Sequence, residues 1–234
     1  MKAYLLMLVL AASLALCGCN GYLADQATKR GIQAYDNAKQ AQSRGDFETA
    51  NSYCRQAQQE FQTAVDYDPN GTDRHYNLAR VCQDLKEHDQ AIREYDQAIR
   101  YFPGNGKAHS GKIDCLVKEH APQEQIDKAV TMAGNVVDPG RMGRIYLTQA
   151  MAYYYAGHTA DMPKVLVKAA EAGPDDAYLQ ATVGRFYRAI GNTSLAIKHL
   201  EIAYELDSNQ PGVAYDLGVL GQRLPFPPRP AASR

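Results

Sequence analysis

Tryptophan is absent from this 234-residue chain and phenylalanine occurs only 5 times, so its aromatic content is almost all tyrosine, at 16. Tyrosine suits surfaces that are half buried and then covered by a partner. An excess of either charge is also missing: 25 Lys and Arg face 26 Asp and Glu, for a net charge of −1. Nucleic-acid binders rely on a basic surplus to neutralise phosphates, and this composition excludes that class. No HExxH, GxSxG or P-loop pattern occurs. The six histidines, at 75, 88, 109, 120, 158 and 199, have no metal-ligand spacing. The expectation is therefore a protein that is no enzyme, holds no metal or cofactor and binds no nucleic acid. Hydrophobic residues make up 45%, an ordinary globular level that allows a substantial core.

A long apolar run is lacking too. The longest candidate, Ala3 to Leu16, follows the single positive residue Lys2 and has fourteen residues. That is short for a bilayer span and right for the core of a signal peptide. It runs into Leu16-Cys17-Gly18-Cys19. This resembles the bacterial lipobox, with an aliphatic residue three before a Cys and a small residue directly before it. The resemblance implies a leader over 1–18 and a lipidated Cys19 as the new N-terminus. Asn20 rather than Asp after that Cys implies an outer-membrane location facing the periplasm. Several acyl chains on Cys19 suffice for a stable anchor. Residues 19–30 then read as a short linker and helix start.

From there the sequence repeats about every 34 residues, and the repeat decides the fold class. Residues 72–105 are the clearest unit. Asn77, Leu78 and Ala79 lie on a first helix; Ala91, Ile92, Tyr95, Ala98 and Ile99 recur at 3–4-residue spacing on a second, and Pro103 ends it. Residues 177–210 repeat the pattern through Val183-Gly184, Tyr187, Gly191-Asn192, Ala196 and Ala203. Residues 143–176 match through Ala150, Tyr153, Gly157, Leu166, Ala169 and Pro174, and 106–142 form a degenerate unit turning at Ala121-Pro122. In the first unit, 31–71, the step from Ala50 to Pro69 is seven residues longer than that from Ala91 to Pro103. Its second helix should therefore run about two turns longer and project about 10 Å. Residues 211–224 read as a lone capping helix, and 225–234, PFPPRPAASR, as a disordered proline-rich tail.

This pattern of small residues and a closing proline resembles the tetratricopeptide-repeat (TPR) family over residues 31–224. The resemblance implies an all-α, right-handed solenoid of about five helix-turn-helix repeats plus a C-terminal cap. It also implies that a partner peptide lies in a groove lined by the first helix of each repeat. Transferred position by position, the groove residues would be Tyr35, Asp36 and Lys39; Asp73, Tyr76, Asn77 and Arg80; and Lys107, Ser110 and Asp114. Arg144, Thr148, Tyr154 and Tyr155 follow, then Tyr178, Arg185 and Arg188, with Tyr215 on the cap. Tyr and Arg are the types most enriched at binding hot spots. Lys39, Arg80, Lys107 and Arg185 would suit an acidic segment or a C-terminal carboxylate. The two-carboxylate clamp of some TPR domains is matched only by Asn77 and Lys107, and is not expected. Of the cysteines beyond the lipobox, Cys82 reads as a core residue, and a Cys54–Cys82 disulfide is an option left open.

The reading that follows is a lipid-anchored scaffold of the bacterial envelope, with a pilotin-like pilus or secretion assembly lipoprotein as the sharper alternative. An adaptor for cell-wall hydrolases fits the same architecture. A hydrolase or carbohydrate-binding protein would need converging carboxylates, and Asp36, Asp73, Asp84 and Asp114 are dispersed.

Overall fold

The computed structural model describes residues 2–222, with side chains from Asn20 onward. The expected leader and its lipid-bearing Cys19 thus lie outside the described side chains, and the tail 225–234 outside the described residues. Among the described residues the regular structure is entirely helical, in two compact units, 1–119 and 120–234. No helix among them is long and apolar enough to cross a membrane.

The first unit holds α1 (Lys2–Ser43), α2 (Phe47–Tyr67), α3 (Thr72–Asp84), α4 (His88–Tyr101) and α5 (Gly106–Lys118). Helices α1 and α2 pair, as do α3 and α4, with α5 against α4. The small residues named from the repeat are where backbones meet: Ala79, Ala91 and Ala98 are fully buried. Cys82 is likewise fully buried, and Cys54, Cys82 and Cys115 are free thiols with no bridge among them. Burial pushes the Cys82 thiol up to about 11 and that of Cys115 up to about 12, so neither is a ready nucleophile.

Helix α2 has 21 residues against 14 in α4, the expected difference of seven. Its additional turns are covered by an equally early start of α1. Ala24 and Ala27 are fully buried, and Arg30 pairs with Glu60 at 2.8 Å. At Gly31 the two helices come so close that a Cβ would meet the Phe61 ring at 2.7 Å. Residues 20–30 therefore belong to the first helix of the first hairpin.

The second unit holds α6 (Gln123–Gly134), a 3-10 turn (Pro139–Arg141), α7 (Gly143–Tyr155), α8 (Met162–Ala172), α9 (Ala177–Ala189), α10 (Thr193–Leu206) and α11 (Val213–Val219). Hairpins α7–α8 and α9–α10 close through Gly157 and Gly191, both left-handed at φ +76° and +80°. In the first unit Gly45 does the same between α1 and α2, whereas Lys86 adopts it between α3 and α4. A side chain there costs about 1 kcal/mol. Side-chain caps start several helices: Asp46 accepts from Thr49 N, Asn105 from Ala108 N, Asp176 from Leu179 N and Asn192 from Leu195 N.

A second periodic device joins successive hairpins. Carbonyls at helix ends need partners, and at the ends of α2, α4 and α8 a buried side chain on the next first helix supplies one. His75 Nε2 donates to the Pro69 carbonyl at 2.8 Å, and His109 Nε2 to that of Pro103 at 2.9 Å. In the second unit Gln180 Nε2 donates to the carbonyls of Gly173 and Ala170 at 3.1 and 3.2 Å. The further partner also repeats, nineteen residues on: Glu94 for His75 and His199 for Gln180. These histidines are joints of the repeat.

Candidate protein-binding face

In the first unit, α1 and α3 bring four of the expected residues together. The Arg80 guanidinium lies 4.9 Å from the Tyr35 ring centre and 5.7 Å from that of Tyr76. Tyr76 and Arg80 are one helical turn apart and so share a face of α3. Tyr35 accepts from Arg80 Nη2 at 3.3 Å and donates to Asp84 at 2.7 Å. Lys39 Nζ donates to the same Asp84 oxygen at 2.7 Å and sits 5.0 Å from the Tyr35 ring. The cluster thus holds two cations and one carboxylate, which bonds Lys39 and Tyr35 but not Arg80, leaving one positive charge in excess. Burial and the Asp84 carboxylate both push the Tyr35 hydroxyl above its ordinary pKa, so it remains a donor. Burial works against the charge on Lys39, but Asp84 and Tyr35 outweigh it and raise its pKa.

The cluster is backed by the core. Tyr76 leans on Tyr95, ring centres 6.1 Å apart, and Tyr95 is almost fully buried. Tyr95 donates to Gln83 at 2.6 Å, and Gln83 in turn bonds Asp114, which also pairs with Lys118 at 2.7 Å. Gly111 exists for this packing: a Cβ there would stand 2.3 Å from Tyr95. Asn77 is half-buried beside Arg80, and Lys107 is exposed at the first turn of α5, outside the cluster.

The second unit arranges its residues differently. Arg144, on α7, lies 5.8 Å from the Tyr178 ring on α9. Tyr154 and Tyr155 meet edge to face at 5.9 Å and are 43% and 68% exposed. Arg185 and Arg188 are partly exposed but paired within the fold. Each donates to an oxygen of Asp216 on α11 at 2.7 Å, and Arg185 also holds the Pro211 carbonyl at 2.7 Å. Asp216 is only 5% exposed. These two arginines dock the terminal helix.

Hairpins of paired helices, small residues at the crossings and joints recurring at one register define the architecture. Residues 41–107 match the tetratricopeptide repeat family model. The fold is a TPR fold, as solved structures also show. The chain is similar to TTC0263, a thermophilic TPR protein of Thermus thermophilus, at TM-score 0.51 and 14% identity, over 81% of this chain and 98% of that one. It is similar to PilW, a type IV pilus biogenesis factor, at 0.54 and 16%, over 80% and 86%. It is also similar to pilF of Pseudomonas aeruginosa at 0.54 and 17%, over 85% and 89%. At these identities the likeness is one of fold. A comparison with curated proteins finds no match. TPR arrays present extended surfaces to other proteins, and the first helices are the elements that carry the clusters here.

Asp84 is the member of the first cluster that reading the sequence did not select. It stands on a groove-lining place of its repeat, at the last turn of α3. Its partners Tyr35 and Lys39 lie 49 and 45 residues away, so no local pattern announces the pairing.

Proposed function

We propose that this chain is a lipid-anchored scaffold of the bacterial envelope that binds a partner protein on the first-helix face around Tyr35, Tyr76, Asn77 and Arg80. The observation that carries the reading is the state of Arg80. It is ordered between two tyrosine rings, and its polar bond among the described residues is to the Tyr35 hydroxyl. An arginine held in place with donors to spare loses little conformational entropy when it grips a partner. Aromatic and arginine side chains that anchor one another are the usual core of a binding hot spot.

Anchoring at Cys19 rests on Leu16-Cys17-Gly18-Cys19, and its place on the periplasmic side of the outer membrane on the Asn20 that follows. Assembly of a pilus is the more specific role, favoured by joining that lipobox to a fold shared with the pilus biogenesis factor PilW.

The test places a photoreactive residue at position 77 of the full chain in cells, with the crosslinked proteins identified by mass spectrometry. The expected result is a defined envelope partner, a pilus assembly component on the more specific reading, that disappears with Arg80→Ala while the melting temperature holds. No crosslink from position 77, or one indifferent to Arg80→Ala, overturns the binding face. Metabolic labelling with palmitate tests the anchor separately. Label that persists in Cys19→Ser excludes that residue.

A further inference from the structure

The two units differ in what their first helices offer, and the second has a distinctive charge pattern. Helices α7 and α9 contain no acidic residue, while they carry Arg144, Arg185 and Arg188. The acid on α11, Asp216, is buried and consumed by Arg185 and Arg188. Asp176, at the start of α9, is spent capping that helix through Leu179 N. The hydroxyls of Thr148 and Thr182, which could have competed for a ligand, turn back to the carbonyls of Arg144 and Tyr178. In the first unit, by contrast, Asp84 of α3 neutralises Lys39 of α1, and Asp114 neutralises Lys118 within α5.

Aromatic surface lies along these two helices, whose neighbouring acids include Asp127 of α6, bonded by Gln149 and Tyr153, and exposed Asp175 before α9. Tyr178 is 51% exposed beside Arg144 at one end of the helices, and Tyr154 and Tyr155 are open at the other. Arg144 and Tyr154 are ten residues apart on α7, which is about 15 Å of helix. An extended peptide covers that with about five residues. The guanidinium of Arg144 is prepared for a carboxylate because the Tyr178 ring already orients it.

We propose that the α7–α9 face of the second unit binds an acidic peptide segment with an aromatic or aliphatic anchor, its carboxylates toward Arg144 and its anchor on Tyr154 and Tyr155. This rests on the protein-binding reading above and adds a second surface with its own partner chemistry. Charge complementarity selects the occupant: a basic segment would meet Arg144 with no acid of α7 or α9 to receive it.

The experiment pans the full chain, in detergent, against a displayed library of random dodecapeptides. The expected result is enrichment of sequences rich in Asp and Glu with one large apolar residue. Their affinity should fall roughly tenfold or more with Arg144→Glu and with Tyr154→Ala, and weaken with added salt. Lys164→Glu makes the same charge change at an exposed place on α8 and should leave binding within about twofold. Enriched peptides without acidic residues overturn the proposal, as do acidic peptides that bind Arg144→Glu as well as the parent. Peptides lost with Arg80→Ala but kept with Arg144→Glu also overturn it, while leaving the Arg80 face standing. Failure to enrich any peptide overturns it as well, and crosslinking from position 77 then decides the broader reading alone.

Discussion

Replacing Asp216 by Asn tests whether Arg185 and Arg188 belong to the fold or to a binding surface. Asn keeps the shape of the side chain but offers one acceptor oxygen, uncharged, where the carboxylate offers two to two arginines at 2.7 Å each. A hydrogen bond to a charged group contributes about 1.5–3 kcal/mol. The arginine side chains are 35% and 39% exposed, so water recovers part of that. A net loss of about 1–3 kcal/mol follows. It should be felt locally, because α11 is seven residues long and too short to hold itself. What keeps it in place besides the arginines is Val213 and Leu217, packed on Ala181, Leu200 and Ala203. The helix should therefore open more often while the hairpins behind it stay closed. At tenfold per 1.4 kcal/mol, amide exchange over 213–222 should accelerate about 5- to 150-fold, with α9 and α10 unchanged. Native-state hydrogen exchange read by mass spectrometry makes the measurement. A double-mutant cycle with Arg185→Gln gives the coupling directly. Unchanged exchange in α11, or a coupling near zero, would refute the docking role and return both arginines to the surface as free cations.

Two helical glycines should respond to alanine with opposite signs. At Gly184 a Cβ would stand 2.8 Å from Leu200 Cγ and 3.0 Å from the Ala196 carbonyl, so α9 and α10 must part. An overpacking cost of about 1–3 kcal/mol should exceed the helix-propensity gain of about 1 kcal/mol. Nothing lies within 4 Å at Gly218, so Gly218→Ala should stabilise α11 by about 0.5–1 kcal/mol. Chemical denaturation of both variants checks the pair, and a stabilised Gly184→Ala would show the helix crossing to be looser than described. The histidine joints should titrate apart. Burial disfavours a charged His75, but the Glu94 carboxylate and the Pro69 carbonyl outweigh it and raise its pKa. Burial lowers the pKa of His109 and of His199. Relative to an unfolded value of about 6.5, His75 stabilises the fold below that pH and loses its contribution as pH rises through its raised native pKa. His109 and His199 stabilise above that pH and lose theirs as pH falls through their lowered native values. Imidazole titration by NMR reads the three directly, and a His75 that titrates below 6.5 would sink the account.

Much of this molecule was written in its periodicity. Small residues at 79, 91 and 98, a proline near each hairpin end and a spacing of about 34 dictate paired amphipathic helices, because only that geometry buries every one of them. The seven-residue insertion before Pro69 likewise demanded a longer α2, since a helix absorbs extra length without breaking phase. Even the joints have a trace in the sequence, as His75, His109 and Gln180 each follow a proline by six residues. Their purpose showed only when the proline and glycine carbonyls came within reach of them.

The division of the cations required the tertiary structure. Lys39, Arg80, Arg185 and Arg188 are alike as groove-facing basic residues on first helices. Packing pairs Lys39 with Asp84 and spends Arg185 and Arg188 on Asp216, while Arg80 is left between two tyrosine rings. Periodicity assigns a side chain to a face, because that depends on residues three and four positions away. Whether its charge is already answered depends on a carboxylate 28 to 45 residues distant, and only folding brings that within 3 Å.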